Sequence, residues 1–121
     1  MSIEKINLSE KFAQIGDFWN PRIAGELNQQ QVKLAKFKGE FIWHHHEHED
    51  ELFLVIDGSF QMELRDKTIT VSAGEFLIIP RGVEHRPVAR EEVQVLMFEP
   101  ATTVNTGGLE NELTRHRLEK I

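Results

Sequence analysis

Short apolar runs, each stopped by turn residues, constrain the fold of this chain most strongly. Leu52–Ile56 ends at Asp57-Gly58, and Phe76–Ile79 ends at a proline. A third run, Val93–Phe98, ends at Glu99-Pro100. Short runs with turn signals at roughly ten-residue spacing are typical of an all-β sandwich or barrel. The sequence therefore predicts an all-β fold.

Local patterns within these runs give more specific expectations. Leu52–Ile56 and Phe76–Ile79 are continuously apolar, which predicts strands that are buried on both faces. Asp57-Gly58 is a strong signal for a β-hairpin. Val32–Lys38 alternates imperfectly between apolar and polar residues, as a bulged or edge strand does.

The two ends of the chain have weaker patterns. Ser9 is placed to cap a short N-terminal helix that carries Phe12 and Ile15 on one side. The segment 109–121 has a weak helical spacing of apolar residues, and it fits equally well an extended arm that lies on a partner.

Length and composition limit both the architecture and the function. The 121 residues predict one domain, 1–121, with a core at roughly 22–100 and an extension at each end. The net charge of −6 argues against nucleic acid as a partner, because phosphate binding needs a basic surface. There is no cysteine, which excludes thiolate ligands and disulfides. The first residues lack an apolar signal region and no run is long enough to span a membrane, so we expect a cytoplasmic protein with no membrane partner.

A run of histidines and acids, 43–51, is the strongest functional signal. Four of the six histidines fall within 44–48. In an extended segment His44, His46 and His48 share one face, and His45 lies on the other. Two imidazoles from that face, a carboxylate from the next strand and a distant imidazole would form a transition-metal site. Imidazole and carboxylate suit zinc, iron, manganese or nickel.

The histidine run also contains the first half of a family pattern. In that pattern two histidines one residue apart precede a glutamate and then a glycine. This chain supplies His44, His46, Glu51 and Gly58. Gly39, which would be the glycine in front of the pattern, stands one residue closer to the first histidine than is usual.

A second stretch completes the pattern in the expected order. It consists of a glycine, a proline, a second glycine and a histidine, which here are Gly74, Pro80, Gly82 and His85. With both stretches the chain resembles the cupins, small jelly-roll β-barrels that hold a metal inside. The asparagine that usually ends the second stretch is replaced by Ala89. The resemblance implies one divalent metal ion (Zn, Fe, Mn or Ni) bound by His44, His46, Glu51 and His85.

His48 competes with His44 as a ligand, because it shares a face with His46. A pair of His46 and His48 would leave only two residues before Glu51, which is short for a turn between strands, so we favour His44. Arg81 and Arg86 flank the second stretch and are candidates for binding an anionic substrate. Two solvated arginines explain these positions equally well.

Three classes of function are compatible with such a site. Four protein ligands on an octahedral ion leave two open positions, which favours an enzyme acting on a small carbonyl, hydroxyl or sugar-like molecule. The resemblance implies either an isomerase or a dioxygenase. The alternative is a non-enzymatic, metal-dependent module that binds or senses a small ligand. A third reading is a closed, purely structural metal site.

The apolar runs also bear on the oligomeric state. Strands that are apolar on both faces, together with the terminal extensions, suggest more hydrophobic surface than one small sandwich can cover. The sequence therefore predicts a homodimer, and the habit of small cupins, which mostly pair, implies the same.

Overall fold

Seven antiparallel strands and one short helix make up the computed structural model, which describes residues 2–121. The expected all-β class with a short N-terminal helix is confirmed. The elements, in chain order, are α1 (Leu8–Phe12), β1 (Arg22–Leu27), β2 (Gln30–Glu40), β3 (Glu51–Asp57), β4 (Ser59–Leu64), β5 (Thr68–Ser72), β6 (Phe76–Ile79) and β7 (His85–Pro100).

The long strand β7 joins the two layers of the fold. It contains the predicted strand Val93–Phe98 but begins eight residues earlier, at His85. Its C-terminal half lies between β2 and β3 in a sheet of order β1-β2-β7-β3-β6. Its N-terminal half pairs with β4, which in turn pairs with β5. β7 therefore takes part in both layers that enclose the core.

The chain turns a corner at Gly58 and does not form a hairpin there, so the hairpin prediction is wrong. β3 pairs with the C-terminal half of β7, up to Asp57 opposite Gln94, whereas β4 pairs with its N-terminal half. Gly58 has a φ of 88°, and a Cβ there would lie 3.1 Å from the carbonyl oxygen of Glu92. Glycine is needed because the chain crosses β7 at close range.

The main core lies between the two layers and is rich in aromatic side chains. Trp19 stacks on Phe37, with ring centroids 4.4 Å apart, and on Phe41. Phe37 meets Phe60 edge to face. β2 supplies its inward residues through a bulge between Phe37 and Gly39, which agrees with the imperfect alternation in its sequence.

A second, smaller core covers part of the outer face of the large sheet. Phe12 and Ile15 pack there on Leu34 of β2. Asn7 caps the five-residue helix α1 by accepting a hydrogen bond from the backbone N–H of Glu10. The expectation that Ser9 would be the cap is therefore wrong, although the helix and its apolar side lie where they were predicted. Within residues 2–121 we find no helix with the length and apolarity needed to span a bilayer.

Strand β6 is exposed, contrary to the prediction that it is buried on both faces. It lies at the edge of the large sheet and pairs with β3. Phe76 and Ile78 are 61% and 54% exposed, whereas Ile79 faces the core. A continuous apolar run does not distinguish a central strand from an edge strand with one exposed face.

The C-terminal segment, 101–121, is neither a helix nor a free arm. It folds back over its own domain in a series of turns. Thr106 is fully buried and bonds to Thr114, and Leu113 packs against the main core. Lys120 forms a parallel bridge with Ile23 of β1. Ile121 packs in the smaller core with Phe12 and Ile15, so the two terminal segments meet there.

Candidate metal centre

Four buried side chains converge inside the domain from separate parts of the chain. Their nitrogen and oxygen ligand atoms all lie within 4.8 Å of one another. Glu51 is the first residue of β3, and His85 is the first residue of β7. His44 and His46 stand on an otherwise irregular segment between β2 and β3, so the expected strand through the histidine run is reduced to a single bridge.

Backbone contacts fix the positions of the histidines. His44 and His85 exchange two backbone hydrogen bonds, of 3.1 and 2.9 Å, and their ring centroids are 4.3 Å apart. The carbonyl of His46 accepts a hydrogen bond of 2.8 Å from the N–H of Gly82. The turn before β7 therefore holds both halves of the site together.

The hydrogen bonds of two imidazoles determine which ring nitrogen is free. His44 Nδ1 lies 2.9 Å from the carbonyl oxygen of Ile42, and His85 Nδ1 lies 2.9 Å from that of Val83. Because a carbonyl oxygen only accepts, each Nδ1 carries the hydrogen of its neutral ring. The Nε2 atoms of His44 and His85 are therefore left with lone pairs, as metal ligands require.

Three atoms in the cluster are buried without a hydrogen-bond partner: His46 Nε2, Glu51 Oε1 and His85 Nε2. Glu51 Oε1 lies 2.9 Å from His46 Nε2 and 3.2 Å from His85 Nε2, yet neither contact is a hydrogen bond. Neighbouring ligands at about 2.1 Å from an octahedral ion are about 3 Å apart. The donor set and its spacing therefore fit a divalent transition metal.

The protonation states also suit a metal. Burial, helped by the nearby charge of His85, lowers the pKa of His44 to about 4. At neutral pH His44 is therefore an uncharged imidazole, the form that binds cations.

A buried ion pair lies beside the cluster. Lys33 Nζ is 2.7 Å from Glu99 Oε2, and the two side chains are 2% and 3% exposed. Burial, and then the negative charge of Glu51, raise the pKa of Glu99 well above its usual range. Sequence reasoning missed both residues, although each stands two positions from an inward-facing apolar residue on its strand, as an inward-facing residue should.

Two spaces touch His44 from different sides of the cluster, and a third, at the surface, touches Glu51 together with His48 and Arg81. An inner cavity of about 40 Å³ touches His44 and Glu51. A larger cleft of about 640 Å³, open to solvent, touches His44 and His46 and is walled by the C-terminal segment at residues 104 and 107–109. The remaining walls of the inner cavity are mostly apolar and include Trp19, Phe37, Phe41, Phe53 and Met97, together with Lys33 and Glu99.

The other predicted residues lie outside the cluster. The side chain of His48 is 85% exposed, and His45 is also exposed. Arg81 is on the surface, where its backbone N–H donates to the carboxylate of Asp50. Arg86 bonds to Glu63 at 2.7 Å, and as the neighbour of His85 on β7 it lies on the opposite face of that strand. Binding of an anionic substrate by Arg81 and Arg86 stays a prediction. Among the aromatic residues, Phe37 and Phe53 are buried, Trp43 lies under the guanidinium of Arg65, and Phe76 is exposed.

Comparison with known proteins gives a consistent set of relatives. A family model described as a cupin domain matches residues 31–99, which include all four clustered residues. Among curated proteins, uncharacterized protein YdbB of Bacillus subtilis is 45% identical over 62 residues, which are 50% of this chain and 55% of that protein. Acireductone dioxygenase 1 of Coprinopsis cinerea is 31% identical over 117 residues, covering 87% of this chain and 63% of that protein. The chain spans 55% and 63% of the length of these curated relatives.

Solved structures resemble most of the fold. A cupin-2 domain containing protein from Shewanella frigidimarina is 46% identical, with a TM-score of 0.78 over 78% of this chain and 93% of that chain. Protein NMB1881 from Neisseria meningitidis is 28% identical, with a TM-score of 0.74 over 80% of this chain and 99% of that one. Trp19 and Pro21, which line the inner cavity, lie outside the residues that the family model matches, as do Asn105 and Leu118.

Proposed function

The chain belongs to the cupin family, and we propose that it binds one divalent transition metal ion through His44, His46, Glu51 and His85 and uses it to act on a small polar molecule. The single observation that supports this most is the set of buried, unpartnered atoms that converge in the cluster. Left without a cation, the Glu51 carboxylate would face the lone pair of His85 Nε2 in a buried contact, which is costly.

An ion in this position would polarise a carbonyl or hydroxyl oxygen of a substrate, or support oxygen chemistry if it is iron. The protein's own contribution is orientation and exclusion of water. Ile42 and Val83 hold the rings of His44 and His85 through their carbonyls. The aromatic walls of the inner cavity, such as Phe41 and Phe53, keep bulk water from that side.

Among the reactions compatible with such a site, we propose the dioxygenase type ahead of the isomerase type. The relative that supports this is acireductone dioxygenase 1, at 31% identity. Either reaction would leave two metal positions for substrate, which agrees with four protein ligands. A closed structural site is less well supported, because both the cavity and the cleft reach His44.

The enzyme and the binding-module hypotheses are separated by a turnover assay. The protein is loaded with iron(II) or manganese(II) and given short keto acids, diols and sugar phosphates in air. Oxygen uptake and product NMR report dioxygenase and isomerase activity respectively, with Glu51→Gln as the inactive control. Turnover that disappears in Glu51→Gln supports an enzyme. Tight binding of a small molecule that is never converted would instead make this a binding or sensor module.

We also propose that the chain forms a homodimer through the outer face of its large sheet. Ile78 and Phe76 on β6 stand directly opposite Leu52 and Leu54 on β3, so these side chains share one face. Phe98 continues the row on β7. Two copies related by a two-fold axis can bury this surface against each other, because each copy presents the same apolar face and the same edge strand to its partner.

A further inference from the structure

Away from the metal centre, the inner cavity has polar groups at Lys33, Glu99 and Asn105 among its apolar walls, and Lys33 is the one cation there among residues 2–121. This residue lies on β2 with Ala35 and Phe37, and its side chain points with theirs into the core. An ammonium group carries three N–H donors. Lys33 directs one to Glu99 Oε2 at 2.7 Å and one to the carbonyl of Thr103 at 3.4 Å. Within the described residues the third donor has no partner.

An unused donor on a buried cation is unfavourable, because the interior offers no water to replace the missing hydrogen bond. The cavity beside it has room for about three water molecules at its volume of about 40 Å³. It also touches His44 and Glu51, so an occupant can reach Lys33 and the metal centre together.

The charge of the loaded centre favours an anionic occupant. A divalent ion and Lys33 together carry more positive charge than Glu51 and Glu99 can neutralise, even when both carboxylates are ionised. The imidazole ligands add no negative charge. A neutral ligand or water would leave this excess uncompensated, whereas a carboxylate or enolate oxygen would balance it.

We propose that Lys33 is a substrate-binding residue that selects a small carboxylic acid, holding one acid oxygen while a neighbouring oxygen of the same molecule reaches the metal. This rests on the proposed metal centre and narrows its substrate class. The aromatic walls limit the rest of the molecule to a short apolar body. Trp19, from the segment before β1, and Leu118, from the C-terminal segment, complete these walls.

The test compares the binding of pyruvate and pyruvamide, which have nearly the same shape but differ in charge. Zinc-loaded protein is used because zinc supports no redox turnover. Titration calorimetry is carried out on the wild type, on Lys33→Met and on a matched control, Lys36→Met. Lys36 lies on the same strand, is partly buried and faces Glu92 at 3.7 Å on the outside, so both variants lose one positive charge.

We expect the wild type and Lys36→Met to bind pyruvate at least tenfold more tightly than pyruvamide. Lys33→Met should lose about tenfold to hundredfold in pyruvate affinity, the range of one charge-assisted hydrogen bond, with little change for pyruvamide. If Lys33→Met does not fold, the double variant Lys33→Met/Glu99→Gln, which leaves no unpaired buried charge, should give the same loss.

Zinc stoichiometry, measured on the same samples, separates this inference from the metal centre. The role of Lys33 would be overturned, and the metal centre kept, if the protein binds one zinc per chain but does not prefer pyruvate over pyruvamide. Equal pyruvate affinity in Lys33→Met and wild type would have the same meaning. A wild-type protein that binds no zinc would overturn the metal centre itself.

Discussion

Glu51 Oε1 lies 3.2 Å from His85 Nε2 in a fully buried contact that is not a hydrogen bond. His85 Nδ1 donates to the carbonyl of Val83, so its Nε2 offers a lone pair to a carboxylate that can only accept. Two buried acceptors in contact repel each other, and a cation bound between them would remove this repulsion. The proposed function follows from this contact.

The buried pair of Lys33 and Glu99 should be costly to break on one side only. Glu99→Leu leaves the ammonium, 2% exposed, without its 2.7 Å partner, and we expect a loss of about 3–5 kcal/mol in the free energy of unfolding. The double variant Lys33→Met/Glu99→Leu should recover most of it. Urea denaturation in the presence of a chelator measures both.

The control for the buried pair is the exposed pair of Lys120 and Glu26, 3.0 Å apart. Glu26→Gln should change the stability by less than about 1 kcal/mol. Equal losses in Glu99→Leu and Glu26→Gln would mean that Lys33 finds water in the cavity and that the interior there is not dry.

Gly107 and Gly108 form a matched pair for testing the C-terminal segment. A Cβ at Gly107 would lie 2.2 Å from the carbonyl oxygen of His45, and its φ is 66°, whereas nothing lies within 4 Å of a Cβ at Gly108. Gly107→Ala should therefore destabilise the segment by about 1–3 kcal/mol, and Gly108→Ala should be nearly neutral. Hydrogen exchange of residues 101–121 reports the difference. Identical exchange in the two variants would show that the segment does not pack on His45.

The low pKa of His44 predicts a pH dependence of the metal-free protein. Its folded pKa is about 4 against an ordinary 6.5, so the unfolded chain binds more protons between these values. Above about pH 6.5, His44 makes its full contribution to the free energy of unfolding. As the pH falls towards 4, this contribution is lost, and the free energy of unfolding decreases by up to about 3 kcal/mol.

His46, Glu51 and His85 also face His44, so the comparison must be made between variants. Chelator-treated wild type and His44→Gln are unfolded by urea at several pH values. The stability of the wild type should fall more steeply below pH 6.5 than that of His44→Gln. His45→Gln, which alters the exposed neighbour, should follow the wild type. Parallel curves for His44→Gln and wild type would mean that His44 is not desolvated.

The proposed dimer is tested at its most exposed strand. Ile78→Lys places a charge in the centre of the apolar face and should convert a dimer into a monomer. Leu27→Lys, at a residue that is 49% exposed on the opposite edge strand, should leave the dimer intact. Analytical ultracentrifugation at micromolar concentrations measures the oligomeric state of the wild type and of both variants. A monomeric wild type, or a dimer that only Leu27→Lys disrupts, would contradict the proposed interface.

The sequence predicts the four-residue cluster well because each ligand is tied to a local signal. His44 and His46 are two positions apart, Glu51 opens an apolar strand, and His85 follows a Pro-Arg-Gly turn. The pair Lys33 and Glu99 was also predictable in principle. Lys33 stands two positions before the inward-facing Ala35 on β2, and Glu99 stands two positions after the inward-facing Met97 on β7.

Strand pairing was harder to predict, because it depends on contacts far apart in the sequence. Asp57-Gly58 has the composition of a hairpin turn, but the choice between a hairpin and a corner depends on where β7 lies. Phe76 and Ile78 are as apolar as core residues, and only the position of β6 at the sheet edge exposes them.

Metal titration of histidine variants tests the central claim most directly. Metal-free wild type, His85→Gln and His48→Gln are titrated with zinc and manganese by calorimetry, and metal content is checked by elemental analysis. Wild type and His48→Gln should bind one ion per chain with equal affinity, whereas His85→Gln should lose more than about 100-fold, because losing a ligand costs more than losing its supporting contact. Unchanged affinity in His85→Gln, or a loss in His48→Gln alone, would contradict the metal centre.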